Sequence, residues 1–541
     1  MGITFLLFGC NQPQTNVVSN SIVKTNQYPN GYKFEPPVTV TVIRFYGPQV
    51  IFQPGEDIDN NIWSRAYTAY CGIKIKTVLA TTDYNEYDTK ITTSIATDSL
   101  PDIIPSQTSQ FERIVNSGKA FDLLAYYRTY LDTNLKDLME KEMGGTAYKS
   151  TYKNGGLLAL AIPQTKSPGM QWIRQDWLDK YGLKWPKTIN DSISIMEYFC
   201  KNNAGSPTAK KTYAFPLTAA INTYFVNAFG AYRGIWIENQ KGDLMKSELS
   251  PKWKSALYNL QKLYSKKYIE ADFSLTNQTD IDTAMTNQQY GFFFGSLTSP
   301  DGTLYNSVAM NPNANWKSGL ITQPSGEPAK VQNNTKVSSF FCVNKKSNYP
   351  EAVFFIANIY GDLANGVGEE FQSYHDFLGT DQIHYNTFWY PIINMSYPYI
   401  DTSKIINEAL KSKDYSNLTG EMYGALERFK LWEKYKDYSG WRIWAISAHG
   451  GSAYTRNKIL SQNDIYLDRG WGPDTPTWIA KGPDLNITCT QLFNDIITGK
   501  QSVEDGFYEW SNYFNKKGGI QATKEINLWW KTDGKATFSL F

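Results

Sequence analysis

The sequence predicts an α/β protein folded as two lobes, each a sheet flanked by helices. Three observations carry that expectation. At 541 residues the chain exceeds what one ordinary hydrophobic core accommodates. β-Branched runs alternate with helix-length amphipathic stretches, stop, and then restart, the pattern of sheets with covering helices. Between the two series lies the stretch from Asn154 to Thr188. There the apolar run Leu157 to Ile162 leaves an Asn154-Gly155-Gly156 turn and stops at Pro163. A polar loop with Pro168-Gly169 follows, then a second strand around Trp172-Ile173. Arg174 to Leu178 opens a helix that Gly182 closes, and Trp185-Pro186 breaks the chain again. This is where the polypeptide is expected to pass from one lobe to the other.

In chain order, Ile3 to Gly9 is apolar and ends at Gly9-Cys10, the form of the end of a bacterial lipoprotein signal with Cys10 as the lipidated residue. No Lys or Arg precedes the run, and Phe8 is bulky where that pattern has a small residue. Residues 1–10 are thus expected to be a signal remnant. Residues 11–37, rich in Asn, Gln, Thr, Ser and Pro, are expected to be a flexible tether. Val38 to Phe45 reads as a strand, with a helix after it from about Asp59 that carries Ile62, Ala66 and Tyr70 on one face and ends at Gly72. Ile73 to Leu79 is the next strand, then a helix through Ile91 and Ile95, then a short strand at Ile103-Ile104. That spacing predicts parallel pairing, and ligands in such sheets lie beyond the carboxyl ends of strands. The rule singles out the loops at Tyr46 to Gln49 and Ser106 to Ser109.

Past the crossing, Tyr213 to Leu217 reads as a strand and Tyr224 to Phe229 as a short helix. Ser250-Pro251 opens a helix whose stripe is Trp253, Leu257, Leu260 and Tyr264. Tyr290 to Phe294 is a buried strand. Val337 to Val343 is a further strand and Asn348 to Tyr360 a helix, taken as the return to the first lobe. Residues 361–480 read as irregular and dense in Trp, Tyr, Gly and His. Two helices end the chain, one through Leu492, Phe493, Ile496 and Ile497, the other opened by Ser502 and Asp505 with the stripe Val503, Phe507, Trp510 and Phe514. The expected division is 38–162 plus 334–430 for lobe one and 163–333 plus 431–541 for lobe two.

Composition narrows the function classes. Lys and Arg number 53 against 51 acidic residues, without a basic block, so nucleic acid has no electrostatic footprint here. Aromatic residues make up 15%, and Tyr and Trp together outnumber Phe by nearly two to one. Large cores explain part of that excess; the rest suits half-wet surfaces that stack on sugar rings. Cys71, Cys200, Cys342 and Cys489 lie far apart with no CxxC pair, and spacing assigns no disulfide among them. His375, His384 and His449 form no HExxH pattern and no EF-hand loop occurs, so no metal site is expected. GxSxG and Walker A are absent, which removes the usual hydrolase and ATPase signals, and no cofactor is expected.

Several stretches taken in order resemble the family 1 extracellular solute-binding proteins, the lipoprotein receptors of bacterial carbohydrate ABC importers. Asp98 to Ile103 (DSLPDI) resembles the family's SGDLPDI. Ile173 to Leu183 (IRQDWLDKYGL) resembles its IRKDWLDKLGL and is followed by Pro186-Lys187-Thr188. Pro251 to Leu257 matches the helix before its GLIDPEF, here Tyr268 to Phe273, and Gly499-Lys500 with Lys516 to Gly519 match its end. The resemblance covers about residues 38–530, with gaps in 361–480. It implies a two-lobed periplasmic-binding-protein-like fold of type II with the ligand in the cleft between the lobes. It also implies binding without catalysis, a sugar or oligosaccharide as ligand, and delivery to the permease subunits of an ABC importer. The implied protein is a monomer held by a lipid anchor on the outer face of the cytoplasmic membrane. Closure would be a population shift driven by a ligand that touches both lobes. Two other classes share the aromatic richness: a secreted glycosidase or lyase, which needs two carboxylates about 5–9 Å apart, and a glycan-binding adhesin.

Candidate ligand contacts follow from strand ends and from tryptophans lying outside helical stripes. Tyr46 and Gln107 sit past strand ends of lobe one, and Gln164 lies at the crossing. Thr218, Tyr224 and Ser296 occupy the equivalent loops of lobe two. Trp389, Trp441, Trp444 and Trp471 lie in Gly-rich, polar surroundings and are expected to supply one or two sugar platforms. Each stands against an ordinary role in loop or core. Trp236 reads as core, Arg442 as a surface ion pair, and Arg174 and Asp176 as structural at a helix start.

Overall fold

The computed structural model describes residues 20–24, 31–45, 52, 54–141, 145–153, 155–162, 166–333, 337, 339–374, 398–472 and 474–538. Cys10, Tyr46, Gln164, Trp389, His375 and His384 lie outside that set.

Lobe one is built on a five-stranded sheet. Its spatial order is Ile73–Thr81, Val38–Phe45, Ile103–Ser106, Ser339–Val343 and Leu160–Ile162. The first three run parallel, as the strand–helix alternation requires. The strand from the return segment enters between Ile103–Ser106 and Leu160–Ile162 and is antiparallel to both. The sheet is therefore mixed. Val38, Val40 and Val42 alternate with more exposed threonines, so one face of that strand is fully committed to the core. Helix Ile62–Cys71 covers it. Asn61 caps the helix by accepting from the Trp63 and Ser64 amides, and Gly72 ends it in the left-handed region at φ 67°.

The expected tether is partly structure. Ser21–Lys24 pairs antiparallel with Tyr32–Glu35, and Phe34 is buried in the lobe-one core. A Cβ at Gly72 would stand 2.2 Å from the Phe34 carbonyl oxygen, so the hairpin's close seat on the helix end depends on that glycine.

Lobe two centres on Met170–Arg174, flanked antiparallel by Phe292–Gly295 and Trp316–Gly319. The strand expected at Tyr213 to Leu217 forms a single bridge, Tyr213 to Tyr290. Helix Lys252–Ser265 buries Trp253, Leu257 and Leu260 as expected, but Leu263 rather than Tyr264 completes the stripe. Arg174 and Asp176 have the structural role assigned to them. The Arg174 guanidinium, 2% exposed, donates to both Asp176 oxygens (2.8 and 2.6 Å) and to Gln288 Oε1 at 2.7 Å. It also lies 4.7 Å from the Trp177 ring centroid. Asp176 accepts in turn from the Asn315 amide at 3.1 Å, which ties the helix start to the neighbouring strand.

Residues 398–461, expected to be irregular, are mostly helical: Pro398–Ser412, Gly420–Tyr435, Tyr438–Ser447 and Ser452–Ser461. Glycine inside these helices hid them. Gly440 sits where a Cβ would meet the Arg428 carbonyl oxygen at 2.1 Å, so it is a packing requirement and not a breaker. Ile406, Leu418, Leu426 and Phe429 share a core with Ile443 and Ala448, and position 430 falls inside a continuous helix rather than at a boundary. At the end of the chain, helices Pro476–Ile497 and Val503–Phe514 are followed by a third, Ile520–Trp529, which the sequence reading lacked.

Candidate functional site

The lobes meet at two crossing segments, and the described parts of these are held by a chain of hydrogen bonds. Arg456, 1% exposed on helix Ser452–Ser461, donates through Nε and Nη2 to the Lys166 carbonyl at 2.8 and 2.5 Å. The Ser167 amide donates to Asn333 Oδ1 at 2.9 Å, and the Asp468 amide to the Asn333 carbonyl at 3.1 Å. Strand Val331–Asn333 runs parallel to Ile465–Leu467 beside them. Segments far apart in sequence are thus tied at one place. Gly169, at the exit of the first crossing, lies under the Tyr224 ring. A Cβ there would be 2.0 Å from Tyr224 Cδ1. Tyr224 is therefore committed to packing on the crossing, and burial pushes its phenol pKa up.

On lobe one, the carboxyl ends of the parallel strands deliver two helix starts to the same place. Asp83 caps helix Tyr84–Ala96 by accepting from the Asn85 and Glu86 amides; Gln107 precedes helix Thr108–Asn116. Tyr84 donates its hydroxyl to Gln107 Oε1 at 2.7 Å and accepts from Gln110 Nε2 at 3.2 Å. Gln110 also donates to Asp88 Oδ1 at 3.0 Å, and Arg113 pairs with the same oxygen. The Tyr84 ring packs edge-on against Phe45 at 5.7 Å. Burial and then the Asp88 charge push the Tyr84 phenol up, so it stays a neutral donor and acceptor at physiological pH. Gln107 itself is exposed, and Tyr84 and Phe45 are half-buried. An aromatic edge beside amide groups offers one apolar face and several hydrogen-bonding positions.

On lobe two, Asn222 fixes the loop after Leu217 by donating through Nδ2 to the Phe294 carbonyl at 3.1 Å while capping helix Thr223–Asn227. Thr218, half-buried in that loop, accepts from the Ile221 amide. Ser296 shares a hydroxyl hydrogen bond with Thr298 at 3.0 Å, and its carbonyl accepts from Trp172 Nε1 at 3.2 Å. Trp172 in turn lines a recess with Lys317 and Trp444, where the Lys317 ammonium lies 5.1 Å from the Trp444 ring.

The structure therefore brings Gln107 together with Tyr84, and links Ser296 to Trp444 through Trp172. It buries two of the expected platforms in the interior. Trp441, 1% exposed, is packed with Trp172 and Trp316 in the lobe-two core, because its helix turns that side inward. Trp471 is buried against the C-terminal helices, with its indole N–H on the Gly534 carbonyl and its ring 5.0 Å from Trp529. Tyr84 was missed. The same strand-end rule, applied to the strand ending at Thr81, leads directly to it. Arg456 and Asn333 had no local signal, since their roles depend on segments more than a hundred residues away.

Comparison with known proteins matches the model of the bacterial extracellular solute-binding proteins over residues 55–362. The chain belongs to that family. It is 23% identical over 217 residues to the polygalacturonan/rhamnogalacturonan-binding protein YtcQ of Bacillus subtilis strain 168, covering 38% of this chain and 41% of that one. It is likewise 23% identical over 235 residues to lipoprotein LipO of the same organism, covering 42% and 44%. The matches thus span less than half the length of either relative. Among solved structures it is similar to an HMO-binding, ABC-transporter-associated solute-binding protein of Bifidobacterium longum infantis. There the TM-score is 0.59 at 14% identity, over 92% of this chain and 99% of that one. The fold is the two-lobed type II periplasmic-binding-protein fold, with its cleft between the lobes.

Proposed function

We propose that this chain is an extracytoplasmic receptor that captures a sugar or oligosaccharide between its lobes and delivers it to an ABC importer. Its anchor is a lipid on Cys10, which places it on the outer face of the cytoplasmic membrane. The observation that carries the reading is the Tyr84–Gln107–Gln110 group at the strand ends of lobe one, in a chain of this family. An aromatic edge set among amides matches a pyranose, with its apolar face and rim of hydroxyls. Gln107 and Tyr84 are the lobe-one contacts; Ser296 and Trp444 are the lobe-two contacts. Ligand retention without turnover is part of this reading and is supported by membership in a family of binding proteins.

The test is equilibrium titration of the full chain with neutral and acidic oligosaccharides, with the ligand recovered and analysed afterwards. Saturable binding with intact ligand is expected. Shortened products in the recovered sample would replace the receptor with an enzyme, and no binding across both panels would remove the carbohydrate reading.

A further inference from the structure

Lobe two carries a cationic cavity that the groups above leave unused. The two-stranded pair Trp236–Glu238 and Leu244–Lys246 is antiparallel, and its register sets Lys246 opposite Trp236. The Lys246 ammonium consequently lies 5.6 Å from the Trp236 ring centroid and 4.6 Å from that of Trp478, on helix Pro476–Ile497. The Lys246 residue is 2% exposed, and its ammonium faces the two indole rings with no hydrogen bond or ion pair to another described residue. An ammonium that lies against two ring faces at the wall of a cavity is a ready partner for an anion entering that space.

A second cation faces the same space. Arg233 donates through Nη2 to Thr490 Oγ1 at 2.9 Å, while its Nη1 is buried without a hydrogen-bond partner. Arg233 is fixed from behind by Gln332, which accepts from its amide at 2.7 Å and donates to its carbonyl at 2.8 Å. Together these residues and Asp468 line a cavity of about 280 Å³. Two carboxylates stand nearby; they offset part of the positive charge, and each accepts from neutral donors rather than from Lys246 or Arg233. Asp468 Oδ1 accepts from the Trp236 and Gly470 amides (3.0 and 2.8 Å). Glu248 accepts from the Gly234 amide and the Ser247 hydroxyl (2.5 and 3.0 Å).

We infer that this cavity is a subsite for a carboxylate-bearing sugar ring, with the ligand's carboxylate between Lys246 and the free Nη1 edge of Arg233. The inference rests on the carbohydrate-receptor reading and deepens it to ligands containing a hexuronate. The volume lies just below about 300–1,000 Å³, the range of ordinary ligand pockets, and suits one ring rather than an extended chain. Its place explains how a bound end group would matter. Gln332 adjoins Asn333, whose side chain holds the first crossing through Ser167, and Asp468 donates its amide to the Asn333 carbonyl. A carboxylate is recognised by charge-assisted hydrogen bonds from both cations, and a hydroxymethyl group at the same ring position supplies no charge to meet them.

The experiment is calorimetric titration of the full chain, in a phosphate-free buffer at pH 7, with three probes. These are galacturonate and mannuronate oligosaccharides, the same oligosaccharides after carboxyl reduction, and inorganic phosphate. The acidic forms are expected to bind tighter than their reduced counterparts by on the order of ten- to a hundredfold. Lys246→Met and Arg233→Gln should each erode that preference while leaving affinity for the reduced forms. Arg233 is only half-buried, so its variant serves where loss of the buried lysine disturbs folding. Equal affinity for acidic and reduced forms, or a preference that survives both substitutions, overturns the inference and leaves the sugar receptor standing. Phosphate binding without uronate binding overturns it as well. Failure of every oligosaccharide to bind overturns both readings together.

Discussion

Replacing Glu270 with Gln should stabilise the protein by an amount that grows as pH rises above about 4.5 and levels off near 7. Glu270 sits under lobe two, where burial pushes its carboxyl up to about 7 from an ordinary 4.5, against a hydrogen bond from the Tyr290 hydroxyl that favours the charged form. The folded-state value is raised, so the folded protein binds the proton more tightly than the unfolded chain does. The contribution is fully present below the unfolded value and is lost as pH rises from about 4.5 through 7. A rise from 4.5 to about 7 corresponds to about 3 kcal/mol of lost stability by pH 8, at 1.36 kcal/mol per unit. Glutamine keeps an oxygen that accepts from Tyr290 and never ionises. Urea unfolding followed by tryptophan fluorescence, at pH 4.5 and pH 8, reads the difference. The variant should match the wild type at pH 4.5 and exceed it at pH 8 by an amount approaching about 3 kcal/mol, some 6 °C in Tm for a lobe of this size. A difference between variant and wild type that is the same at both pH values would refute the reasoning, because a proton-linked cost has to vanish where both states are protonated.

Arg174→Met should cost about 3–5 kcal/mol in chemical unfolding, because it leaves Asp176 without its bidentate partner and Gln288 Oε1 without a strong donor. Gly169→Ala should cost about 1–3 kcal/mol by overpacking against the Tyr224 ring, and the double variant with Tyr224→Ala should recover most of it; additive losses would show that the two do not touch. Cys71, Cys200, Cys342 and Cys489 are free thiols, so adding reductant should leave the thermal midpoint unchanged, and a drop would reveal a disulfide. Burial pushes the Cys342 thiol up to about 12, so it should resist alkylation in the folded protein and react once unfolded.

The lobes were legible because their strands are written in β-branched runs and their helix ends in caps. Val38 to Phe45, Asn61 with Gly72, and Ser502 with Asp505 all carry their structure locally. Two kinds of information were not local. Helices that use glycine for contact read as loops, as at Gly440, and Gly482-Pro483 disguised the first turns of helix Pro476–Ile497. Composition does not distinguish a tryptophan that faces a ligand from one that fills a core. Trp441 and Trp444 stand three residues apart on one helix, yet one is sealed in the interior and the other remains half-buried beside Lys317. Of the expected contacts, Gln107 sits in a polar cluster at a strand end because the strand-end rule is topological. The lysine and arginine of the cationic cavity drew no notice, since isolated basic residues in a chain of net charge +2 look like ordinary surface.

The late arrival of strand Ser339–Val343 has a bearing on how the chain folds as it is made. Its neighbours on either side, Ile103–Ser106 and Leu160–Ile162, emerge early, and the sheet between them stays open until the whole intervening lobe has been delivered. For that interval two strand edges rich in Ile and Leu lack their partner, a state open to mispairing with other chains. A chaperone that shields this gap, or rapid closure of lobe two, would then set the yield of folded protein more than the stability of the finished molecule does.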